Sequence, residues 1–290
     1  MKVFDCFTFF NELDLLELRL KLLDEVVDHF VIAESNLTHA GKEKPYHFEA
    51  AKERFVQWQH KIIYIPFQQT IQGLIFNDSL TVYTPTSAAW QLENGQRNAL
   101  ANANHLIAAD DKVLLSDMDK IPNPLVLKNL ELPVEPMSFA LLFHYYFLNC
   151  QNTGTERWWS GSILSSGTYF KQTTPQTLRD NRNKYKRIKK AGWHFSYLGA
   201  VEKIKYKIQS FAHTELNKDE YLQDEQILKA ITEGKDIFNR PGAVYKFYSP
   251  YWYPGSLRKI MMQYPSFMHY TKKDNFIQNI RYSIAGRIQK

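Results

Sequence analysis

The chain has 290 residues, 44% of them apolar and 23% charged, an ordinary globular composition that excludes a disordered polypeptide and fits one large α/β domain or two modest ones. The net charge of +6 sits in one segment, Arg179 to Lys190 ("RDNRNKYKRIKK"), where seven Lys or Arg stand against one Asp. The remainder is therefore neutral, which excludes a general nucleic-acid binder.

The N-terminus opens on an apolar strand, "KVFDCFTFF". "NELDLLELRLKLLDEVV" follows with Leu15, Leu16, Leu18, Leu22, Leu23 and Val26 at helical spacing. "DHFVIAES" reads as a second strand ending at Glu34, Ser35 and Asn36, "ERFVQWQHK" as a short helix and "IIYIPF" as a third strand. After a looser segment, "SAAWQLENGQRNALANANHLIAA" reads as one long helix with Gly95 as its weak point, and "DKVLLSDMD" as the next strand. Alternating strands and helices of this kind make a parallel sheet covered by helices, and ligands bind such sheets beyond the carboxyl ends of the strands.

Beyond Pro122 the pattern changes. "MSFALLFHYYFLNC" and "RWWSGSILSSGTYF" read as long antiparallel strands, and the basic segment, a short strand "GWHFSYL" and a helix "AVEKIKYKIQSFAH" follow. "KDEYLQDEQILKAITEGKD" reads as a helix ending near Gly234, and the last fifty residues as an aromatic, Pro-punctuated extension packed on the body. The expected units are a body over 1–240, made of halves 1–125 and 126–240, and the extension over 241–290.

The chemistry concentrates in "VLLSDMDKIP". In a strand, Asp117 and Asp119 share a face with Met118 turned to the core, and two like charges side by side repel unless a proton or a cation sits between them. A hard divalent metal answers that repulsion; a solvated strand-end turn is the plain alternative. The preceding helix carries Glu93, Gln96, Arg97 and Asn98. An Arg at a helix start facing the carboxyl edge of the sheet suits a diphosphate, because its fork of donors matches phosphate oxygens; an i,i+4 pair of Glu93 with Arg97 is the plain alternative. Arg-Asn, helix, apolar strand and Asp-x-Asp in that order are what an enzyme needs to hold a nucleotide diphosphate through a cation. The basic segment reads either as a loop for an anionic group or membrane surface, or as a solvated face.

"DCFTFFNELDLLELRL", "VDHFVIAESNLTHAGKEKP", "ENGQRN", "LLSDMDKIP", "AGWHFSYLG" and "KIQSFAHTE" run in order from Asp5 to Glu215. On these blocks the sequence resembles glycosyltransferase family 17. Two departures stand out. The family reads Asp-x-Asp-Glu-Ile-Pro, and here Lys120 replaces the Glu. The membrane anchor of Golgi members is also missing, so the expectation is a soluble, bacterial-type protein. With Cys6 and Cys150 outside any disulfide framework and no signal peptide or membrane span in the sequence, its expected place is the cytoplasm, with possible peripheral membrane contact through Arg179–Lys190 or the C-terminal extension.

The resemblance implies a GT-A-like catalytic domain over 1–240, its first half (1–125) nucleotide-sugar-binding and its second (126–240) for the acceptor, and an inverting transfer from a UDP-sugar, with N-acetylglucosamine as the sugar, Mn²⁺ or Mg²⁺ as cofactor, and a glycan, glycolipid or lipopolysaccharide-type acceptor. Asp117 and Asp119 would hold the metal, with His194 or His213 as a third ligand, unless these are ordinary structural histidines. Glu34 and Asn36 would meet the uridine, Gln96 and Arg97 the diphosphate or uracil, and Trp193, with Trp158 and Trp159, a sugar face or the core. Inversion needs a carboxylate base. Glu215 is the first candidate and Asp224 with Glu225 the second, against a reading of each as a solvated helix-end charge. A nucleotide-sugar hydrolase or phosphotransferase, and a weakly active binding module, are the alternatives.

Overall fold

The computed structural model describes residues 1–76, 84, 86–199 and 201–270. Residues 271–290 of the expected C-terminal extension lie outside them.

In chain order the elements are β1 (Val3–Phe9), α1 (Leu13–Leu23), β2 (His29–Ser35), α2 (His47–Ala50), a 3₁₀ segment (Lys52–Trp58), β3 (Ile62–Phe67) and α3 (Ala88–Asn98). A second 3₁₀ segment (Ala99–Leu106) leads into β4 (Lys112–Asp117), β5 (Lys120–Pro122), α4 (Pro124–Asn129), β6 (Met137–Tyr145), β7 (Cys150–Asn152) and β8 (Trp158–Ser166). Then come α5 (Gly167–Gln172), α6 (Pro175–Asp180), β9 (Lys186–Ser196), α7 (Val201–Ser210), α8 (Asp224–Glu233), β10 (Tyr245–Phe247) and α9 (Gly255–Met261).

The strands form one mixed sheet in the order β10-β7-β6-β8-β4-β1-β2-β3, with β9 beside β6 and β5 beside β9. β3, β2, β1 and β4 run parallel, and β8 joins β4 antiparallel. Alternation along β1 sends Phe4 and Cys6 to one face, with Leu100, Ala103, Phe170 and Leu178, and Phe7 and Phe9 to the other, with the leucines of α1 and Leu257 and Met261 of α9. Both faces are covered, as a parallel sheet requires. A third cluster joins Tyr145, Tyr146 and Tyr245 to Ile204 and Ile208 of α7, Ile227 of α8 and Phe238. Among the described residues no helix is long and apolar enough to cross a membrane.

Four local expectations change. The long helix divides at Asn98, with tight 3₁₀ turns from Ala99, so Arg97 stands in the last turn of α3 and not at a helix start. The segment "ERFVQWQHK" is 3₁₀ over Lys52–Trp58. The basic segment is no loop: it comprises the end of α6, a turn and the exposed first half of β9, which is longer than the strand read from "GWHFSYL". Lastly, β4 ends at Asp117, Met118 and Asp119 form a turn, and Lys120 opens β5. Gly234 does close α8, in the left-handed region at φ 63°.

Candidate active site

The Asp117–Lys120 turn is held from below by a buried cation. Asp5 of β1 faces α1, and a carboxylate there needs a partner. Arg19 supplies one: its Nε and Nη2 donate to the two oxygens of Asp5 at 2.8 and 2.6 Å, with both residues fully buried. Its Nη1 donates to the carbonyls of Asp117, Met118 and Lys120 at 3.2, 3.0 and 3.1 Å, and Nη2 also to Ser116 Oγ at 2.6 Å. One guanidinium thus fixes the backbone from which both candidate carboxylates project.

Lys120 turns into the site. Its Nζ lies 2.7 Å from Asp117 Oδ2 and 2.9 Å from Asp119 Oδ1. The stem passes over Gly161 of β8, where a Cβ would come within 2.4 Å of Lys120 Cδ. Around this centre Arg97 Nη2 reaches Asp117 Oδ1 at 3.0 Å and Glu93 at 2.6 Å, and Arg179 stands 3.7 Å from Asp117. Lys207 of α7 lies 3.2 Å from Asp119 Oδ2, and His194 Nε2 lies 3.4 Å from the same oxygen. Burial alone would raise both aspartates, but Lys120, Arg97 and Arg179 hold Asp117, and Lys120, Lys207 and His194 hold Asp119, well below the usual carboxylate range. Burial, then Lys120, push His194 down to about 4, against the pull of Asp119, so its ring is neutral at pH 7.

Mn²⁺ or Mg²⁺ fits this donor set poorly. Such an ion takes oxygen ligands at about 2.1 Å in a near-octahedral array. The point shared by the two carboxylates is filled by the Lys120 ammonium, and fixed cations face their outer oxygens. Among the described residues no group of three or more His, Cys, Asp or Glu side chains is placed to hold a metal.

Beside Asp119 opens a cavity of about 230 Å³, walled by Glu12, Asp14, Arg54, Tyr206 and Lys207 with Phe195 and Phe267. Ligand sites for drug-sized molecules run to roughly 300–1,000 Å³, so this one suits a sugar ring and not a whole nucleotide sugar. Glu12 Oε2 accepts the N–H groups of Phe10 and Asn11 at 3.3 and 3.1 Å, which fixes the carboxylate at the carboxyl end of β1.

The structure therefore brings Arg97, Asp117, Asp119 and His194 together. The other expected residues are engaged differently. Glu34 is fully buried, and its carboxylate accepts from Lys44, Tyr64 and the N–H groups of His47 and Phe48 at 2.6–3.0 Å. Asn36 exchanges two hydrogen bonds with the backbone of Gln69. Gln96 Nε2 donates to the carbonyls of Phe9 and Ala33, tying α3 to the ends of β1 and β2. Trp193 packs in the core, whereas Trp159 tilts over His194 with centroids 5.6 Å apart. His213 Nδ1 lies 2.7 Å from Glu215 Oε1, its ring meeting the edge of Trp90. Asp224 pairs with Lys205 at 2.6 Å, and Glu225 is exposed at the start of α8. None of Glu215, Asp224 and Glu225 lines the cavity beside Asp119.

Sequence reasoning missed Lys207, Glu12 and Arg19. Lys207 sits in the amphipathic helix "VEKIKYKIQS", where a lysine signals only a wet face. Arg19 did carry a signal, as a charge within the buried leucine stripe of α1.

A model of glycosyltransferase family 17 matches residues 1–274. The β-1,4-mannosyl-glycoprotein 4-β-N-acetylglucosaminyltransferases of Rattus norvegicus and Homo sapiens are each 26% identical over 231 residues, 69% of this chain and 41% of the relative. The chain thus spans about two-fifths of the length of these curated relatives. Among solved structures, HddC from Yersinia pseudotuberculosis aligns with 66% of this chain and 91% of its own at 11% identity and a TM-score of 0.37, a likeness too slight to bear on the site. With the family model matching almost from end to end, the chain belongs to glycosyltransferase family 17.

Proposed function

We propose that the protein is an inverting glycosyltransferase on a GT-A-type frame, moving a sugar from a UDP-sugar to a hydroxyl of a glycan or glycolipid. Family membership supports the reaction class, and the N-acetylglucosaminyltransferase activity named for the relatives supports N-acetylglucosamine as the sugar. The observation that carries the reading is the convergence of Arg97, Lys120, Arg179 and Lys207 on a largely buried aspartate pair at the carboxyl end of β4, next to a sugar-sized cavity.

The chemistry follows from these parts. The cations meet the diphosphate oxygens and stabilise the charge that grows on UDP as the anomeric C–O bond breaks. Asp117 and Asp119 hold Arg97, Lys120 and Lys207 in place. A carboxylate on the opposite side of the sugar takes the proton of the acceptor hydroxyl as it attacks, inverting the anomeric carbon in one displacement. Glu12 is our choice for that base, since it lines the cavity and two backbone N–H groups fix its orientation.

UDP release from UDP-N-acetylglucosamine, followed with and without glycan acceptors, tests the reading. Acceptor-dependent release with an inverted linkage by NMR is the expected result. Release without acceptor would make the protein a hydrolase, UDP-sugar binding without turnover would make it a binding module, and neither binding nor release with any UDP-sugar would end the proposal.

A further inference from the structure

We infer that Lys120 takes the place of the divalent ion, so that this chain engages a nucleoside diphosphate without metal. The inference rests on the donor reading above. An ammonium 2.7 and 2.9 Å from the two carboxylates occupies the point that a bridging cation would need. The position is built and not incidental. Arg19 pins the Lys120 carbonyl, and Gly161 leaves the groove through which the stem runs, with Cδ 2.4 Å and Cε 2.8 Å from the place of a Cβ.

Charge points the same way. Three carboxylates (Glu93, Asp117, Asp119) face four cations (Arg97, Lys120, Arg179, Lys207), one positive charge in excess. Such a cluster repels a second cation and attracts a diphosphate. Removing the Lys120 charge makes the cluster neutral, and a Glu there makes it an acidic site open to a divalent ion. The side chain at position 120 thus selects between two ways of compensating the same phosphate charge.

Two measurements on the intact protein test this. In the first, Mn²⁺ alone is titrated and followed by its electron paramagnetic resonance signal. The parent should take up no ion at the aspartates, whereas Lys120→Glu should bind one and lose it on a further Asp119→Asn change. Uptake of Mn²⁺ by the parent that disappears in Asp119→Asn would overturn the inference, as would a folded Lys120→Glu that binds none.

In the second, calorimetry of UDP in chelator and in Mn²⁺ should give the parent the same affinity in both. Lys120→Met keeps the stem and loses the charge, and should bind UDP about tenfold more weakly in chelator, the loss of one charge-assisted contact. A parent that binds UDP only with Mn²⁺, or a Lys120→Met variant with parental affinity, would overturn it. If UDP binds the parent in neither condition, the donor reading fails, while the Mn²⁺ titration still decides what occupies the aspartate pair. Circular dichroism verifies the fold of each variant, and should Lys120→Glu not fold, the Mn²⁺ titration of the parent and the calorimetry of Lys120→Met still decide the inference.

Discussion

Arg19 and Asp5 form a bidentate ion pair at 2.6 and 2.8 Å with no exposed surface on either, and the same guanidinium collects three carbonyls of the turn that carries Asp117 and Asp119. Stability and site geometry therefore depend on one side chain. Arg19→Met should leave Asp5 buried and unpaired, at a cost of about 3–5 kcal/mol. Urea unfolding should show that loss and its partial recovery in the Arg19→Met/Asp5→Leu double variant, while UDP binding stays weak in both because the turn is no longer clamped. A double variant with parental UDP affinity would show that the turn holds its shape unaided.

Glu12→Gln keeps the caps to Phe10 and Asn11 through its carbonyl and loses the basic group. We expect kcat to fall roughly 10²–10⁴-fold with donor affinity retained. The same change at Glu215, or Asp224→Asn and Glu225→Gln, should leave kcat within a small factor. A large effect at Glu215 alone would move the base to the segment that follows α7.

Burial pushes His144 down to about 3 and His194 down to about 4, from an ordinary 6.5. His144 shows why it tolerates neutrality: Nδ1–H donates to the Leu142 carbonyl at 2.9 Å, leaving Nε2 to accept from the Tyr253 hydroxyl at 3.0 Å. The folded chain refuses protons that the unfolded chain takes up below 6.5. The stability these histidines contribute is thus complete above that pH and is lost as the pH falls toward 4, by up to about 1.4 kcal/mol per pH unit for each ring. Urea midpoints between pH 7.5 and 4.5 should fall accordingly, and His144→Gln should flatten the slope. Asp117 and Asp119, held well below 3.8, lose their contribution only at lower pH.

The basic segment separates into two structural parts. Arg179 stands beside Asp117, whereas Lys186, Lys189 and Lys190 are exposed along β9. Arg179→Met should weaken UDP binding even without acceptor. Neutralising the three lysines should spare the donor and raise KM only for anionic acceptors, with a loss of salt dependence, because exposed charges are screened over about 8–10 Å. Equal KM values for neutral and anionic acceptors in the parent would reduce that stretch to a solvated face.

The parallel half of the fold was legible because β1, β2 and β4 are predominantly apolar runs and a leucine-striped helix separates the first two. The Asp pair was legible by position, at the carboxyl end of such a run. Its geometry was not, since alternation continues smoothly on paper through Met118, where the chain in fact turns. The division of α3 at Asn98 left no Pro or Gly at the break, and Gly95, the suspected weak point, lies within the helix. Lys207 and Glu12 join the site only through tertiary packing, Lys207 reaching Asp119 across 88 residues of chain. No local pattern encodes such an approach.

Gly161 has a bearing on how this site arose. A methyl group there would meet the Lys120 stem at Cδ, so with a side chain at position 161 the lysine would have to take another path to the aspartates. Comparing the two positions across relatives would show whether they changed together, and a glycine at 161 beside a lysine at 120 would mark the chains that carry their own counter-charge.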